Sequence, residues 1–504
     1  MRTMKARTLT PPYQVLSNKS NEIVMKVTFL VPPVLVGKLA AERSSGCTHV
    51  VYPMPNIYEL TVIAQVERLN AFVVNYRDFV WEAGNKEALV NFLQTDQSDV
   101  YLIWAVNLSM ANDLQTAELI HSIVPSAYIL WLGPAPTYFR DEFLKTPHDV
   151  IVRGEPENTV LAVLNAMNCG SDWQKEDGLS WKDADDQLHH NPPRPLITDL
   201  DTLAFPARHF IADRVYRNPK VKITPYTVAI TSRNCPFKCI YCVPCSLSFA
   251  REIENRRYEG RKPRISYRSV ESVDSELRQL AAEGYKAVGF MDDNFIWTEK
   301  RTLAICDSLK RYGLKWGCQA RVDAITEPIA KALGESGCMY VDLGVESFDD
   351  EILKFVKKGI TVAQIEQSIH LLKKYKVPVK LNILIGTSPL ETKETLKNTL
   401  LRAKALKVDQ VMFNIVSPFP GTEFYDMALE NGWIKGGKYV PTDVQRESIL
   451  SYPHLSSTEM EHILRQSNMS YFLSPRFVWH HIRKFRSVAD FTHALKTLSV
   501  KLFG

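Results

Sequence analysis

Apolar residues in this chain gather in strand-length runs, separated by stretches with helical spacing. From Lys26 onward the runs are residues 27–31, 71–74, 100–106, 127–132 and 150–152. Between them, residues 57–69, 86–94, 114–124, 137–145 and 158–167 repeat their apolar positions at helical intervals. Short continuous apolar strands alternating with helices predict a parallel sheet covered on both faces. A sheet of this kind binds ligands outside the carboxyl ends of its strands. Here those ends are Pro32 and Pro33, Asn107 to Ser109, Gly133 and Pro134, and Gly154 to Glu157.

The pattern fades over residues 169–225, where Pro192, Pro193, Pro195 and Pro206 interrupt it, and that stretch reads as a connector. A second alternating series follows, with strands expected at 227–231, 287–291, 315–320, 340–345, 379–385 and 410–416. Thr361 and Gln364 form a capping-box pair ahead of Ile365, and Thr326 with Pro328 marks another helix start. Six strand–helix units are too few for a closed eight-stranded barrel and predict an open, partial one. The expected organisation is an α/β chain with a tail at 1–24, a doubly wound unit at 25–168, a linker at 169–225, a partial barrel at 226–425 and a helical region at 426–504.

At 504 residues the chain is too long for one ordinary domain. Its 45% hydrophobic and 23% charged residues are a globular mix, which excludes a disordered chain, a collagen or a small disulfide scaffold. A net charge of +5 is too mild to imply nucleic acid. No apolar stretch approaches the roughly 20 residues of a membrane-spanning helix, and the first 22 residues lack the apolar core of a secretory signal. Nine cysteines, three of them within eight residues, suit a cytoplasmic metal site better than a disulfide framework.

Those three are Cys235, Cys239 and Cys242, spaced C-x3-C-x2-C directly after the first strand of the second series. The spacing puts three thiols on one loop at the carboxyl end of a parallel sheet. Thiolates are soft ligands that suit iron–sulfur clusters or zinc. Three thiolates on a four-iron cubane leave one iron without a protein ligand, and an open metal position can activate a substrate. The competing reading is a zinc knot or a fully ligated cluster with Cys245 as the fourth ligand. Cys47, Cys169, Cys306, Cys318 and Cys338 are scattered, mostly in apolar surroundings, and read as inert.

The triplet, with Tyr241 before its last cysteine, resembles the radical S-adenosylmethionine superfamily. Asp292 and Asp293 in the segment from Met291 to Phe295, Glu346 and Ser347 after Gly344, Gly386, and the turn from Pro418 to Phe424 extend the resemblance over about 226–425. It implies a [4Fe-4S] cluster on the three cysteines and S-adenosyl-L-methionine held by Tyr241, Asp292, Asp293, Glu346 and Ser347. The implied chemistry is reductive cleavage of S-adenosylmethionine to a 5′-deoxyadenosyl radical, which takes hydrogen from unactivated carbon.

The first unit looks like the cobalamin-binding domain of one branch of that superfamily, a flavodoxin-like (Rossmann-like) fold. The supporting features are Pro32 and Pro33, the Gly133 turn, the segment with Gly154 and Glu155, and in the linker Trp181, Pro192 to Pro195 and Asp199 to Asp201. Gly133, Gly154 and Glu155 are the implied cofactor contacts. One departure stands out: the D-x-H-x-x-G signature is missing, and after the second strand Asn75 to Val80 holds no histidine. Cobalamin would therefore bind without a protein histidine on cobalt, or the domain has lost the cofactor. His121 and His148 read as surface or core residues.

The function implied is cobalamin-dependent radical methylation of a small molecule, the runner-up being a radical cyclisation, oxidation or coupling by the same cofactors. Transfer-RNA methylthiolation would need a second cysteine triad in the first unit, which holds only Cys47 and Cys169 up to residue 169. A sensor without catalysis would give no reason for an open-iron triplet. Expected partners are a small-molecule substrate and an electron donor such as flavodoxin or ferredoxin, with no nucleic acid. From Tyr471 onward six Lys or Arg accompany an apolar stripe at roughly helical spacing, a pattern for a helix docked over the barrel or lying on a membrane surface.

Overall fold

Each apolar run of the first unit becomes a parallel strand in the computed structural model, which describes residues 24–50, 53–218 and 220–482. The elements are β1 (Lys26–Val31), α1 (Ile57–Glu67), β2 (Val73–Asp78), α2 (Lys86–Asp96), β3 (Val100–Trp104), α3 (Met110–Ile123), β4 (Tyr128–Leu132), α4 (Pro134–Tyr138), α5 (Arg140–Phe143), β5 (Asp149–Val152) and α6 (Glu157–Asn168). The strands pair in the order β2-β1-β3-β4-β5, all parallel. β3 is buried along its whole length, as a strand with helices on both faces must be.

The connector is not structureless. It folds into β6 (Leu179–Lys182) and β7 (Leu188–His190), an antiparallel hairpin that extends the first sheet to seven strands. The Asp183 carboxylate accepts from the Asp185 and Gln187 amides to shape the turn, and the Trp181 and His189 rings stack 4.1 Å apart. Arg153, at the end of β5, donates to the Leu179 carbonyl and to Ser180 Oγ, the latter at 2.8 Å. Strands of three and four residues are too short for periodicity to reveal.

The second series runs β8 (Tyr226–Ala229), β9 (Ser232–Arg233), α7 (Ser246–Glu259), β10 (Ser266–Tyr267), α8 (Val270–Ala282), β11 (Ala287–Phe290), α9 (Glu299–Tyr312), β12 (Lys315–Ala320), α10 (Glu327–Glu335), β13 (Cys338–Glu346), α11 (Asp350–Phe355), α12 (Val362–Lys374), β14 (Val379–Ile385), α13 (Lys393–Ala405), β15 (Gln410–Ile415), α14 (Glu423–Glu430), α15 (Ser457–Phe472) and α16 (Pro475–Ile482). Six strands pair in sequence order, β8-β11-β12-β13-β14-β15, all parallel, as an open partial barrel requires. The Thr361–Gln364 capping box is present at α12, and Thr326 caps α10.

Strand alternation gives the barrel an outer and an inner face. In β14, Val379, Leu381, Ile383 and Ile385 are buried against helices, while Lys380, Asn382 and Leu384 are half-buried on the inner face. Gly289 and Gly317 are tight spots. A Cβ would meet the Tyr226 hydroxyl at 2.1 Å in the first case and the Tyr340 ring at 2.1 Å in the second. The connector reaches this floor through Lys220, which pairs with Asp342 at 2.6 Å, and Lys380 joins at 3.2 Å. The amino end of the barrel is thus filled by protein, leaving the carboxyl end for chemistry.

The two series share one apolar core. α1 is buried at every position from Ile57 to Val66, and its residues pack in one cluster with Tyr226, Val228 and Leu247. The region after α14 is only partly helical. Residues 431–456 form an irregular strap that returns to the first unit, where the Val444 amide donates to the Cys47 carbonyl at 3.2 Å and Asp443 pairs with His49 at 2.8 Å. Most of the basic C-terminal stripe, from Arg483 on, lies outside the described residues. Among those described, no helix is long and apolar enough to cross a membrane.

Candidate active site

The cysteine loop leaves β9 and enters α7, and two carboxylates from the end of β11 hold it. Asp292 accepts from the Thr231 amide at 3.1 Å, Thr231 Oγ1 at 2.7 Å and Ser232 Oγ at 2.5 Å. Asp293 accepts from the Asn234 amide at 2.9 Å and the Cys245 amide at 2.8 Å, clamping both ends of the loop. Asp292 is buried and Asp293 half-buried, and the loss of solvent raises both pKa values against the hydrogen bonds that lower them. Asn234 sits at φ +68°, a left-handed conformation that asparagine tolerates, and its side-chain Nδ2 donates to the Ser248 carbonyl at 3.1 Å.

Just before the triplet, Arg233 reaches into the first unit. It binds Glu155 and, at 2.6 Å, Glu157, while Arg251 of α7 also meets Glu155 at 3.1 Å. Glu155 therefore anchors the cysteine loop to the β5–α6 turn. Removing one partner of such a buried set costs about 3–5 kcal/mol, because a charge is left uncompensated.

Cys239 is buried, and Cys235 and Cys242 are half-buried. Burial pushes the Cys235 thiol up to about 11 and Cys242 well above its usual value, and in both cases neighbouring cysteines of the triplet add to the rise. A bound metal reverses this balance, since a coordinating thiol is deprotonated outright. Among the described residues no three His, Cys, Asp or Glu side chains converge as a set for a single metal ion. A cubane spreads its thiolates over three different irons and takes a wider set. Cys245 is set apart: Cys239 and Cys242 pack on the barrel's core, whereas Cys245 packs on the core shared with the first sheet. Its thiol has Asp293, Ser248 and Tyr58 for neighbours, and burial pushes it up. The donor set of the triplet thus suits a cluster with one iron left open.

Around the rim of the barrel, Glu346 ends β13 at φ +68°, after a register shift between Gly344 and Glu346. The bulge turns its carboxylate onto Lys358, whose Nζ lies 2.7 Å away and 3.4 Å from the Tyr241 hydroxyl. A Cβ at Gly344 would stand 2.8 Å from both Glu346 Oε1 and Lys358 Nζ, so a side chain there would displace the pair. Burial lowers the Lys358 pKa, but the Glu346 charge, the neighbouring Cys239 and the hydrogen bond to Glu346 together outweigh it and leave the ammonium raised. The Lys358 carbonyl accepts from Arg321 at 2.8 Å, and that guanidinium lies 3.5 Å from the centre of the Phe237 ring in the cysteine loop. Ser347 is buried beside this group. Lys358 and Arg321 did not stand out in the sequence; the only signal was the basic Lys357-Lys358 pair before Gly359.

Gly386, after β14, is at φ +83° and donates its amide to Glu391 at 2.7 Å; the Thr387 amide does so at 2.8 Å. Burial pushes the Glu391 carboxyl up to about 7 despite these bonds. Glu391 is a third residue that periodicity passed over.

The carboxyl edge of the first sheet meets α7. Gly133 is at φ +96°, where a Cβ would come within 2.6 Å of the Ala105 carbonyl oxygen. Gly154 is at φ +68°, and its amide donates to Thr137 at 3.2 Å. Trp104, at the end of β3, donates to Ser246 Oγ at 3.1 Å and stacks on Tyr58, whose buried hydroxyl faces the Cys245 thiol. Phe139 stacks on Tyr439, and Phe249, Phe419 and Tyr425 complete an aromatic wall along this seam. Apolar rings of this kind suit the face of a large macrocycle. His49, on the loop after β1, is bound to Asp443, and His121 and His148 lie toward the amino end of β5.

Residues 229–403 match the model of the Radical SAM superfamily. An uncharacterised methyltransferase of Pyrococcus horikoshii is 29% identical over 461 residues, 90% of this chain and 94% of the relative. The anaerobic magnesium-protoporphyrin IX monomethyl ester cyclase of Cereibacter sphaeroides is 26% identical over 70% of this chain, which spans little more than half, 56%, of the cyclase. In fold, the chain resembles TsrM of Kitasatospora setae, a radical S-adenosylmethionine methyltransferase solved with cobalamin and a [4Fe-4S] cluster bound, with a TM-score of 0.61 and 17% identity over 81% of this chain and 75% of TsrM. Residues 229–403 are a radical SAM domain, and the chain is an enzyme built around it.

Proposed function

We propose that the enzyme holds a [4Fe-4S] cluster on Cys235, Cys239 and Cys242 and cobalamin in the seam between its two halves, and that it methylates an unactivated carbon of a small molecule. The observation that carries this reading is the packing of Cys245 on a different core from Cys239 and Cys242, because it leaves one iron free for S-adenosylmethionine. When bound, the cluster supplies the electron that cleaves the sulfonium–carbon bond, and cobalamin supplies the methyl group. Asp292 and Asp293 fix the loop so that the three thiols keep one face. Glu346, oriented by Lys358, offers a carboxylate oxygen to a ribose hydroxyl or an ammonium group, with Tyr241 and Ser347 beside it. Gly133 lets its turn close on Ala105 and Trp104 and Gly154 lets α7 pack closely on the first sheet beside that seam, and Glu155 holds the two halves in register. The filled amino end of the barrel directs substrate to the carboxyl end. A cluster held by free thiols favours a reducing, cytoplasmic setting as part of this reading.

The relationship to the Cereibacter cyclase favours a second reading, radical cyclisation or oxidation by the same cofactors without net methyl transfer. A strain carrying the gene and its deletion mutant, both fed methyl-deuterated methionine, separate the two. Methylation adds a deuterated methyl to one metabolite, whereas cyclisation changes a metabolite without adding deuterium. Absence of 5′-deoxyadenosine from the reduced, reconstituted protein would sink both.

A further inference from the structure

The cysteine loop is exposed along one edge: Pro236 and Lys238 reach solvent, while Cys239 beside them is buried. That edge is flanked by basic chain. Residues 251–268 contain seven Arg or Lys and three Glu. Arg251 and Arg268 are buried and paired inside the protein. The other five, Arg256, Arg257, Arg261, Lys262 and Arg264, are exposed or half-buried. Of the three acids, Glu252 and Glu254 are buried, and Glu259 reaches the surface, paired with Arg261 at 2.9 Å. Lys262 ties the strip to the cysteine loop, since its Nζ donates to the Phe237 carbonyl at 3.4 Å and pairs with Glu252 at 3.2 Å. On the far side the strip ends at α14, whose Asp426 lies near Arg256.

We infer that this basic rim is the docking surface for a small acidic one-electron carrier protein. The inference rests on the cluster reading given above. One electron passes from the reduced carrier to the oxidised cluster, so the carrier is oxidised by one electron, the cluster is reduced by one, and no bond or proton changes. The donor must approach the cysteines from outside, and the loop edge from Pro236 to Lys238 is where a cysteine ligand lies one residue from solvent. Opposite charge on the approaching surfaces speeds encounter and makes it sensitive to salt.

The test uses anaerobically reconstituted holoenzyme and the double variant Arg261→Glu with Arg264→Glu. Cluster reduction is followed by stopped-flow absorbance with reduced flavodoxin, an acidic carrier, and with photoreduced deazaflavin, a small uncharged reductant. The flavodoxin rate should fall at least about tenfold and lose its dependence on ionic strength, while the deazaflavin rate and the iron content stay at the wild-type level. An unchanged flavodoxin rate overturns the docking surface, and so does an equal fall with both reductants. Failure of the cluster reading would show separately, as wild-type protein that retains no iron or sulfide after reconstitution.

Discussion

Asp293 accepts a hydrogen bond from the backbone amide of Cys245 at 2.8 Å, and this bond fixes the end of the cysteine loop from a neighbouring strand. Asp293→Asn would set an amide donor against one of the two backbone donors. A buried donor left without an acceptor costs about 1–3 kcal/mol. The variant should unfold at lower urea concentration than wild type and retain less iron after reconstitution. Wild-type values for both would show that the loop holds itself.

Cys245 and the triplet should behave as different kinds of cysteine. Cys239→Ala should bring iron and sulfide close to zero. Cys245→Ala should keep both at wild-type levels, because its thiol packs on the other core. Loss of the cluster in Cys245→Ala would mean four protein ligands and no open iron.

The Glu346–Lys358 pair makes single and double variants inform differently. Glu346→Gln leaves a buried ammonium without its counter-charge, which costs about 3–5 kcal/mol. Lys358→Met combined with Glu346→Gln removes both charges and should recover most of that loss. Binding of S-adenosylmethionine should stay weak in both, measured by calorimetry on the reconstituted protein. Normal binding by the double variant would make the pair purely structural.

Glu391 gives the fold a pH signature of definite sign. Its carboxyl is raised from 4.5 to about 7 in the folded protein. The folded chain therefore holds a proton that the unfolded chain has released between those values, and stability falls as pH rises through that window. The two and a half units between them correspond to about 3 kcal/mol, at 1.36 kcal/mol per unit. Urea unfolding of the apoprotein at pH 5 and pH 7 should show this decline. Glu391→Gln, with nothing to ionise, should lose that part of the slope.

Much of the fold could be read from the chain because its strands are short, apolar and bounded by helices. β12 and β14 lie where the apolar runs placed them, residue for residue. The hairpin of β6 and β7 was hidden because Leu188–His190 carries one apolar residue in three. At the site, the cysteine spacing named the triplet but could not say where Cys245 points, since only the seam with α1 separates it from the others. Lys358 lies 12 residues beyond Glu346, and the two meet because a bulge turns the strand end. Glu391 matters through the backbone amides of Gly386 and Thr387, which leave no mark on composition.

α1 is buried on all sides because both halves press on it. Large apolar interfaces suppress the swinging that otherwise separates linked domains. The shared core therefore opposes jaw-like opening of the two halves about a hinge. Neither half expressed alone would stay soluble, since cutting the chain anywhere in the connector would strip one face of α1 bare.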